Sequence, residues 1–136
     1  MTMMETAPCY CTTMRRAARR LTAIYDDALK PVGISLAQLS LMRNIARSGT
    51  ISVGDLGRLM ELDRSTTGRN VRVLVKAGMA RFIASDDNRE TIVTISDEGN
   101  RILEEAAPLW EAAQRGVEAM LGLDNAEALL EMVGQL

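Results

Sequence analysis

The sequence has no histidine, only four aromatic residues and only two cysteines among its 136 residues. Histidine is the most frequent general base in enzymes and the commonest ligand of transition metals in proteins. The chain also lacks a glycine-rich phosphate loop and a serine or cysteine nucleophile beside an evident base. We therefore predict that the protein is not an enzyme, needs no cofactor and binds no metal.

Long apolar segments are missing as well. No apolar run reaches the roughly 18 residues that span a bilayer. The first residues, Met1–Glu5, lack the cationic and apolar regions of a signal peptide. These absences predict a cytoplasmic protein with no membrane partner. A chain of this length predicts one domain, residues 1–136, and many Ala, Leu and Met with few aromatics favour helices over sheets.

The net charge of −2 is unevenly distributed along the chain. Residues 1–49 carry seven cations and three acids, and residues 50–96 carry seven and six. Residues 97–136 carry two cations and nine acids. A polyanionic partner would therefore face the first two thirds of the chain and not the last.

The segment from Asp63 to Gly78 has the pattern of an amphipathic helix. Asp63 is a good N-cap and Gly78 suits a left-handed helix end. Between them, three residues with helical spacing predict a buried stripe: Thr67, Val71 and Leu74. The rest of the helix is rich in Arg, Ser and Thr. From residue 64 to 81 there are five cations and no acid, a composition that suits the phosphates and base edges of DNA.

The residues before and after this helix predict a winged helix-turn-helix. A capping box, Ser35 with Gln38, opens a helix over residues 36–46, and Ile51 is a candidate short strand. A short helix over residues 53–60 then leads through a three-residue turn into the basic helix. Two β-prone runs, residues 79–84 and 91–95, flank a turn-rich loop and predict a hairpin, the wing.

Long helices are predicted on both sides of this lobe. The periodicity predicts helices over residues 13–30, 97–121 and 125–134. The first has apolar residues at alternating spacings of three and four, which is typical of a helix that packs against another helix. We therefore predict a homodimer, with residues 36–96 as the DNA-binding lobe and residues 13–30 and 97–136 as dimerisation helices.

This order of elements resembles the MarR family of bacterial transcription regulators. The resemblance rests on Asp63–Thr66, on Leu74 with Gly78-Met79, and on a wing reading Asp87-Asn88-Arg89 followed by Ile95–Gly99. It implies a mainly α fold with a small β-hairpin wing, an obligate dimer and a regulator that represses genes until a small molecule or an oxidant releases it. A palindromic double-stranded operator is the expected partner.

The resemblance also implies roles for individual residues. Five would face the major groove: Ser65, Thr66, Gly68, Arg69 and Arg72. Arg89 would enter the minor groove, held by an ion pair with Asp87. Arg64 and Lys76 are predicted to contact phosphates. The alternative is a winged-helix module for protein–protein contact without specific DNA binding, but such a module predicts an acidic or apolar second helix.

Cys9 and Cys11 leave two interpretations open. The segment from Cys11 to Tyr25 is similar to the MarR branch that senses organic hydroperoxides, in which a tyrosine at the position of Tyr25 hydrogen-bonds the reactive thiolate. Nearby arginines and a helix N-terminus could favour the thiolate of Cys11, and Cys9 could resolve its sulfenic acid as a disulfide. Alternatively, both cysteines merely pack at the dimer interface.

A small-molecule effector is the other predicted route of regulation. In this family, ligands often lodge between the dimer helices and the DNA-binding lobe. The resemblance implies a cleft with a cationic and apolar lining that suits an aromatic acid: Arg15, Arg19, Tyr25, Met42 and Trp110. The alternative is that these five residues belong to the core and the interface.

Overall fold

The computed structural model describes residues 7–86 and 89–136. That part of the chain forms α1 (Tyr10–Leu29), α2 (Leu36–Ser48), β1 (Thr50–Ser52), α3 (Val53–Met60), α4 (Arg64–Lys76), β2 (Ala80–Ile83), β3 (Ile92–Ile95), α5 (Asp97–Leu121) and α6 (Leu123–Gly134). A 3-10 turn, Lys30–Val32, joins α1 to α2. This architecture confirms the predicted fold class of helices with a small wing.

Helix α1 begins three residues earlier than predicted. Cys9 is its N-cap, with extended backbone, and Cys11 lies inside the helix and not in a loose leader. The predicted start followed the apolar periodicity, which begins near residue 13 and gives no signal for the exposed turn before it. Residues 10–20 are exposed on all sides, so the first half of α1 projects from the body of the subunit.

Side-chain caps start the two helices that precede α4, and the first of these caps is the predicted box at Ser35. In the capping box of α2, the Gln38 amide donates to Ser35 Oγ over 3.1 Å and the Ser35 amide donates to Gln38 Oε1 over 2.9 Å. At α3, the Asp55 amide donates to Ser52 Oγ over 3.1 Å, while the Asp55 carboxylate pairs with Arg58. These caps fix the two helices that support α4.

The three strands form one antiparallel sheet in the order β1-β3-β2. The residues opposite Val93 are Ile51 on one side and Phe82 on the other. The predicted short strand at Ile51 is thus confirmed, and it pairs with the wing. As a result, the wing is anchored to the lobe and does not stand alone as a hairpin.

The core lies inside the helix-turn-helix lobe. Its largest fully buried side chains come from α1 to α4 and from β3: Leu29, Leu39, Met42, Ile45, Leu56, Thr67, Val71, Leu74 and Val93. All three residues of the predicted stripe on α4 are among them. Burial of that stripe holds one side of α4 against the core and turns the opposite side outward.

The N-terminus of α5 lies against the end of α4. Ser96 caps α5 by accepting from the Gly99 amide over 3.0 Å, and its hydroxyl donates to the Gly78 carbonyl over 2.6 Å. A Cβ atom added to Gly99 would lie 2.0 Å from the carbonyl oxygen of Met79. Only glycine therefore allows α5 to approach the backbone this closely.

Helix α6 has no buried residue within the described subunit. Its exposed apolar side chains include Leu123, Leu129, Leu130, Met132 and Val133. Among the helices of the described residues, none is both long enough and apolar enough to cross a membrane.

Candidate nucleic-acid interface

The turn that leads into α4 sets the direction of that helix. Glu61 adopts a left-handed conformation (φ 54°), which ends α3 abruptly. Asp63 then caps α4, its carboxylate accepting from the Thr66 amide over 3.2 Å. Hydrogen bonding to the Thr66 hydroxyl and amide holds the pKa of Asp63 below its usual value, so the cap stays ionised at neutral pH.

Close packing between α3 and α4 keeps the two helices in a fixed relation. The Thr67 hydroxyl is buried and donates to the Asp63 carbonyl over 2.9 Å. A Cβ atom on Gly57 would lie 3.0 Å from both Thr67 Oγ1 and the Leu62 carbonyl oxygen. The absence of a side chain at Gly57 is therefore what lets α4 lie this close to α3.

The outward side of α4 and the wing enclose an open groove of about 470 Å³. Its lining comes from α3, α4 and the wing: Val53, Arg64, Ser65, Gly68, Arg69, Arg72, Phe82 and Thr91. Five of these residues were predicted to contact DNA. The structure thus brings most of the predicted site together on one surface.

The groove is strongly cationic. The side chains of Arg64, Arg69 and Arg72 are exposed, and none forms an ion pair with an acid in the described part of the chain. Arg69 Nη2 lies 3.3 Å from Thr66 Oγ1, and the positive charge of Arg69 also helps to lower the pKa of Asp63 at the start of α4. Exposed guanidinium groups that form no ion pair suit bidentate contacts to phosphates and guanine edges.

The other predicted DNA contacts lie around this groove. Gly68 is buried, so its backbone forms part of the floor, and a Cβ added there would lie in ordinary contact with the Arg72 guanidinium, 3.5 Å from Nη1. Lys76 is exposed at the last turn of α4, outside the groove lining. Arg89 is exposed at the wing turn, whereas Asp87, its predicted partner, lies outside the described residues.

The structure separates the thiols from Tyr25 within the subunit. Cys9 and Cys11 are both exposed near the start of α1. Hydrogen bonds from the backbone N–H and then the hydroxyl of Thr12 lower the pKa of the Cys9 thiol. Tyr25 lies several turns further along α1, where its hydroxyl donates to Gln114 Oε1. Burial raises the pKa of Tyr25, so it stays a neutral donor.

The five predicted ligand-pocket residues do not line one cleft in the subunit. Met42 is fully buried in the core, and Arg15 and Arg19 stand exposed on the projecting half of α1. Tyr25 and Trp110 do meet, with ring centroids 6.4 Å apart. Met42 belongs to the core because α2 buries two of its sides, which agrees with the alternative interpretation of these residues. The ligand pocket itself stays a prediction.

A cationic cleft that the sequence did not predict lies between α2 and α5. Its volume is about 450 Å³, and its lining consists of Arg43, Ala46, Arg47, Leu103, Ala107 and Trp110. The Arg43 guanidinium carbon lies 4.3 Å from the centroid of the Trp110 ring. Burial, and then the charge of Arg47, lower the pKa of Arg43. No local pattern could reveal this contact, because it joins residues on two distant helices.

The sequence and the fold are both similar to those of known transcriptional regulators. Residues 32–89 match the model of the MarR family. The chain is 31% identical to the transcriptional regulator MosR of M. tuberculosis, whose structure was solved in complex with DNA. The match covers 94% of this chain and 97% of MosR, and the TM-score is 0.79. It has the fold of the transcriptional repressor CouR bound to a 23-mer DNA duplex (22% identity, 99% and 96% coverage, TM-score 0.88). The HTH-type transcriptional regulator YhbI of Bacillus subtilis is 26% identical, covering 91% of this chain and 81% of that protein. The chain therefore belongs to the MarR family of winged-helix transcriptional regulators.

Proposed function

We propose that this protein regulates transcription by binding a palindromic DNA operator in a sequence-specific manner, as a homodimer. The observation that carries the proposal is the groove beside α4, in which three exposed arginines form no ion pair with a carboxylate of the described residues. The DNA-bound structure of the similar regulator MosR supports it. In this assignment α4 lies in the major groove and Arg89 of the wing reaches the minor groove.

The dimer is assigned to residues 13–30 and 97–136, and the DNA-binding lobe to residues 36–96. An apolar groove of about 240 Å³ supports this assignment, lined by α1, α5 and α6 residues that include Leu21, Leu121 and Leu130. The exposed apolar side of α6 continues it. Burying such a surface against a second subunit is strongly favourable. A two-fold dimer would also present two copies of α4 to two half-sites.

The alternative function, a protein-interaction module without specific DNA binding, fits the groove less well. A module that binds a polar protein partner gains little from three uncompensated guanidinium groups on one side of a helix. A duplex, in contrast, offers regularly spaced phosphates and guanine edges to the same groups.

The decisive experiment is selection of duplexes from a random-sequence pool, followed by a salt titration. We expect recovery of an inverted repeat. We also expect its affinity to fall by roughly a thousandfold or more between 50 and 200 mM salt, the range for about six or more phosphate contacts. Recovery of unrelated sequences, bound weakly and with shallow salt dependence, would favour the protein-interaction module.

Oxidation is one proposed route of release, acting on Cys11 and Cys9, and the lowered pKa of the Cys9 thiol is the argument that Cys9 reacts first. Cys9 is exposed, and its lowered pKa increases the thiolate fraction. The Cys9 thiolate would attack a hydroperoxide, which gives a sulfenic acid and releases an alcohol. Condensation with Cys11, or with a cysteine of the partner subunit, would then form a disulfide and release water.

A small ligand is the second proposed route, acting at the cleft between α2 and α5. Arg43 and Arg47 would bind a carboxylate, and Trp110 with Leu103 would cover an aromatic body. The cleft joins a helix of the DNA-binding lobe to a helix of the dimer. A ligand that fits one spacing of these helices better than another would shift the position of the lobe.

DNA release by effectors tests both routes. We expect Cys9→Ser to abolish release by an organic hydroperoxide while leaving release by an aromatic carboxylate such as benzoate intact. Arg43→Gln should have the opposite pattern. DNA affinity without effector should be unchanged in both variants, because neither residue lines the DNA groove. Release by hydroperoxide that survives Cys9→Ser but is lost in Cys11→Ser would restore Cys11 as the reactive thiol.

A further inference from the structure

Phe82 is the one apolar side chain that stands largely exposed among the groove residues. It is the only phenylalanine in the sequence, and 42% of its surface is accessible. It lies on β2, opposite Val93, which is fully buried on the same face of the sheet. The ring therefore points toward the helix side of the wing, where it lines the groove with Arg64, Arg69 and Arg72.

An aromatic ring at this place does not serve phosphate binding. Phosphates are bound by polar and cationic donors, and the arginines of the groove already supply these. Leaving a large apolar surface in water is unfavourable, so this ring gains most if the partner covers it with apolar atoms. The apolar group that a duplex offers in its major groove is the C5-methyl group of thymine.

We propose that Phe82 is a specificity-determining residue that packs against the C5-methyl group of a thymine at the edge of the base pairs read by α4. The inference rests on the proposed function, because it assumes that α4 lies in the major groove. In this arrangement the neighbouring arginines fix the position of the duplex, and Phe82 adds a preference for thymine at one position of each half-site.

The test replaces thymine by deoxyuridine, which lacks only this methyl group, at each position of the strongest duplex recovered from the random pool. We expect one position per half-site at which the wild-type protein loses roughly three- to fivefold in affinity, the factor for one buried methyl group. Phe82→Ala should weaken binding of the unmodified duplex, and it should be insensitive to deoxyuridine at that position alone. Phe82→Leu, which keeps apolar bulk, should retain the sensitivity.

Val73→Ala is the matched control, since Val73 is 53% exposed on α4 but lines a different groove. It should leave the deoxyuridine profile unchanged. Thermal unfolding of each variant checks its fold. If the alanine protein does not fold, Phe82→Gln takes its place as the variant that lacks the apolar ring. If the effects of Phe82→Ala and of every deoxyuridine are simply additive, the inference is wrong while the proposed function stands. If the wild-type protein selects no sequence at all, the proposed function fails, and the inference fails with it.

Discussion

Replacing Gly99 by alanine should destabilise the protein by about 3 kcal/mol, the upper part of the range for forcing extra atoms into a packed site. The added Cβ would lie 2.0 Å from the Met79 carbonyl oxygen and 2.8 Å from a side-chain carbon of Ile95. Both neighbours belong to the junction between α4, the sheet and α5, so relief requires movement of the backbone. The effect should therefore reach the position of α4 as well as the stability.

Gly116→Ala is the matched control in the same helix. Nothing lies within 4 Å of a Cβ added there, so alanine should stabilise α5 by up to about 1 kcal/mol. Urea unfolding at a fixed protein concentration measures both variants, because the stability of a dimer depends on concentration. Equal midpoints for Gly99→Ala and the wild type would mean that α5 can move away from Met79 without cost.

Replacing Arg72 by alanine should weaken binding to the selected operator by roughly 10- to 100-fold and relax the preference at one base pair, as expected for loss of a bidentate contact to guanine. Arg72 is exposed and lies over Gly68 in the groove. It forms no ion pair within the described residues that would compete with DNA. Arg69→Ala should behave in the same way at another base pair.

Two further variants help to separate base contacts from phosphate contacts: Lys76→Ala removes a predicted phosphate contact, and Arg115→Ala is the control. Lys76→Ala should weaken binding equally for all sequences and reduce the salt slope by about one. Arg115→Ala, on α5, should change nothing, because Arg115 is paired with Glu111 far from the groove. Fluorescence anisotropy against the operator and against scrambled duplexes distinguishes the patterns. An Arg72→Ala protein with unchanged sequence preference would exclude a base contact.

The sequence predicted most of the lobe because its signals are local. Each of these signals depends on residues close together in the sequence: the Asp63 cap, the capping box at Ser35, and the stripe of Thr67, Val71 and Leu74. The long helix over Asp97–Leu121 was predicted with the observed bounds. Where the capping residues and the apolar spacing of one helix agree, the sequence alone predicts the bounds and the buried face of that helix.

The contacts that shape the site are those the sequence could not predict. Pairing of β1 with β3 joins residues about 40 positions apart. The stacking of Arg43 on Trp110 and the approach of Gly99 to Met79 depend on how separate helices pack. The start of α1 was misplaced for a different reason, since its first turn carries neither an apolar stripe nor a side-chain cap that the sequence would reveal.

The projecting half of α1 has a consequence for how the protein behaves on dilution. The end of a helix opens easily where few tertiary contacts hold it, and residues 10–20 are exposed within their own subunit. This segment should unwind when subunits separate and rewind when they associate. The environment that acidifies the Cys9 thiol is built from the first turn of the same helix. If oxidation of Cys9 releases DNA as proposed, peroxide sensitivity would then rise with cellular protein abundance, and the oxidation state of Cys9 would report assembly.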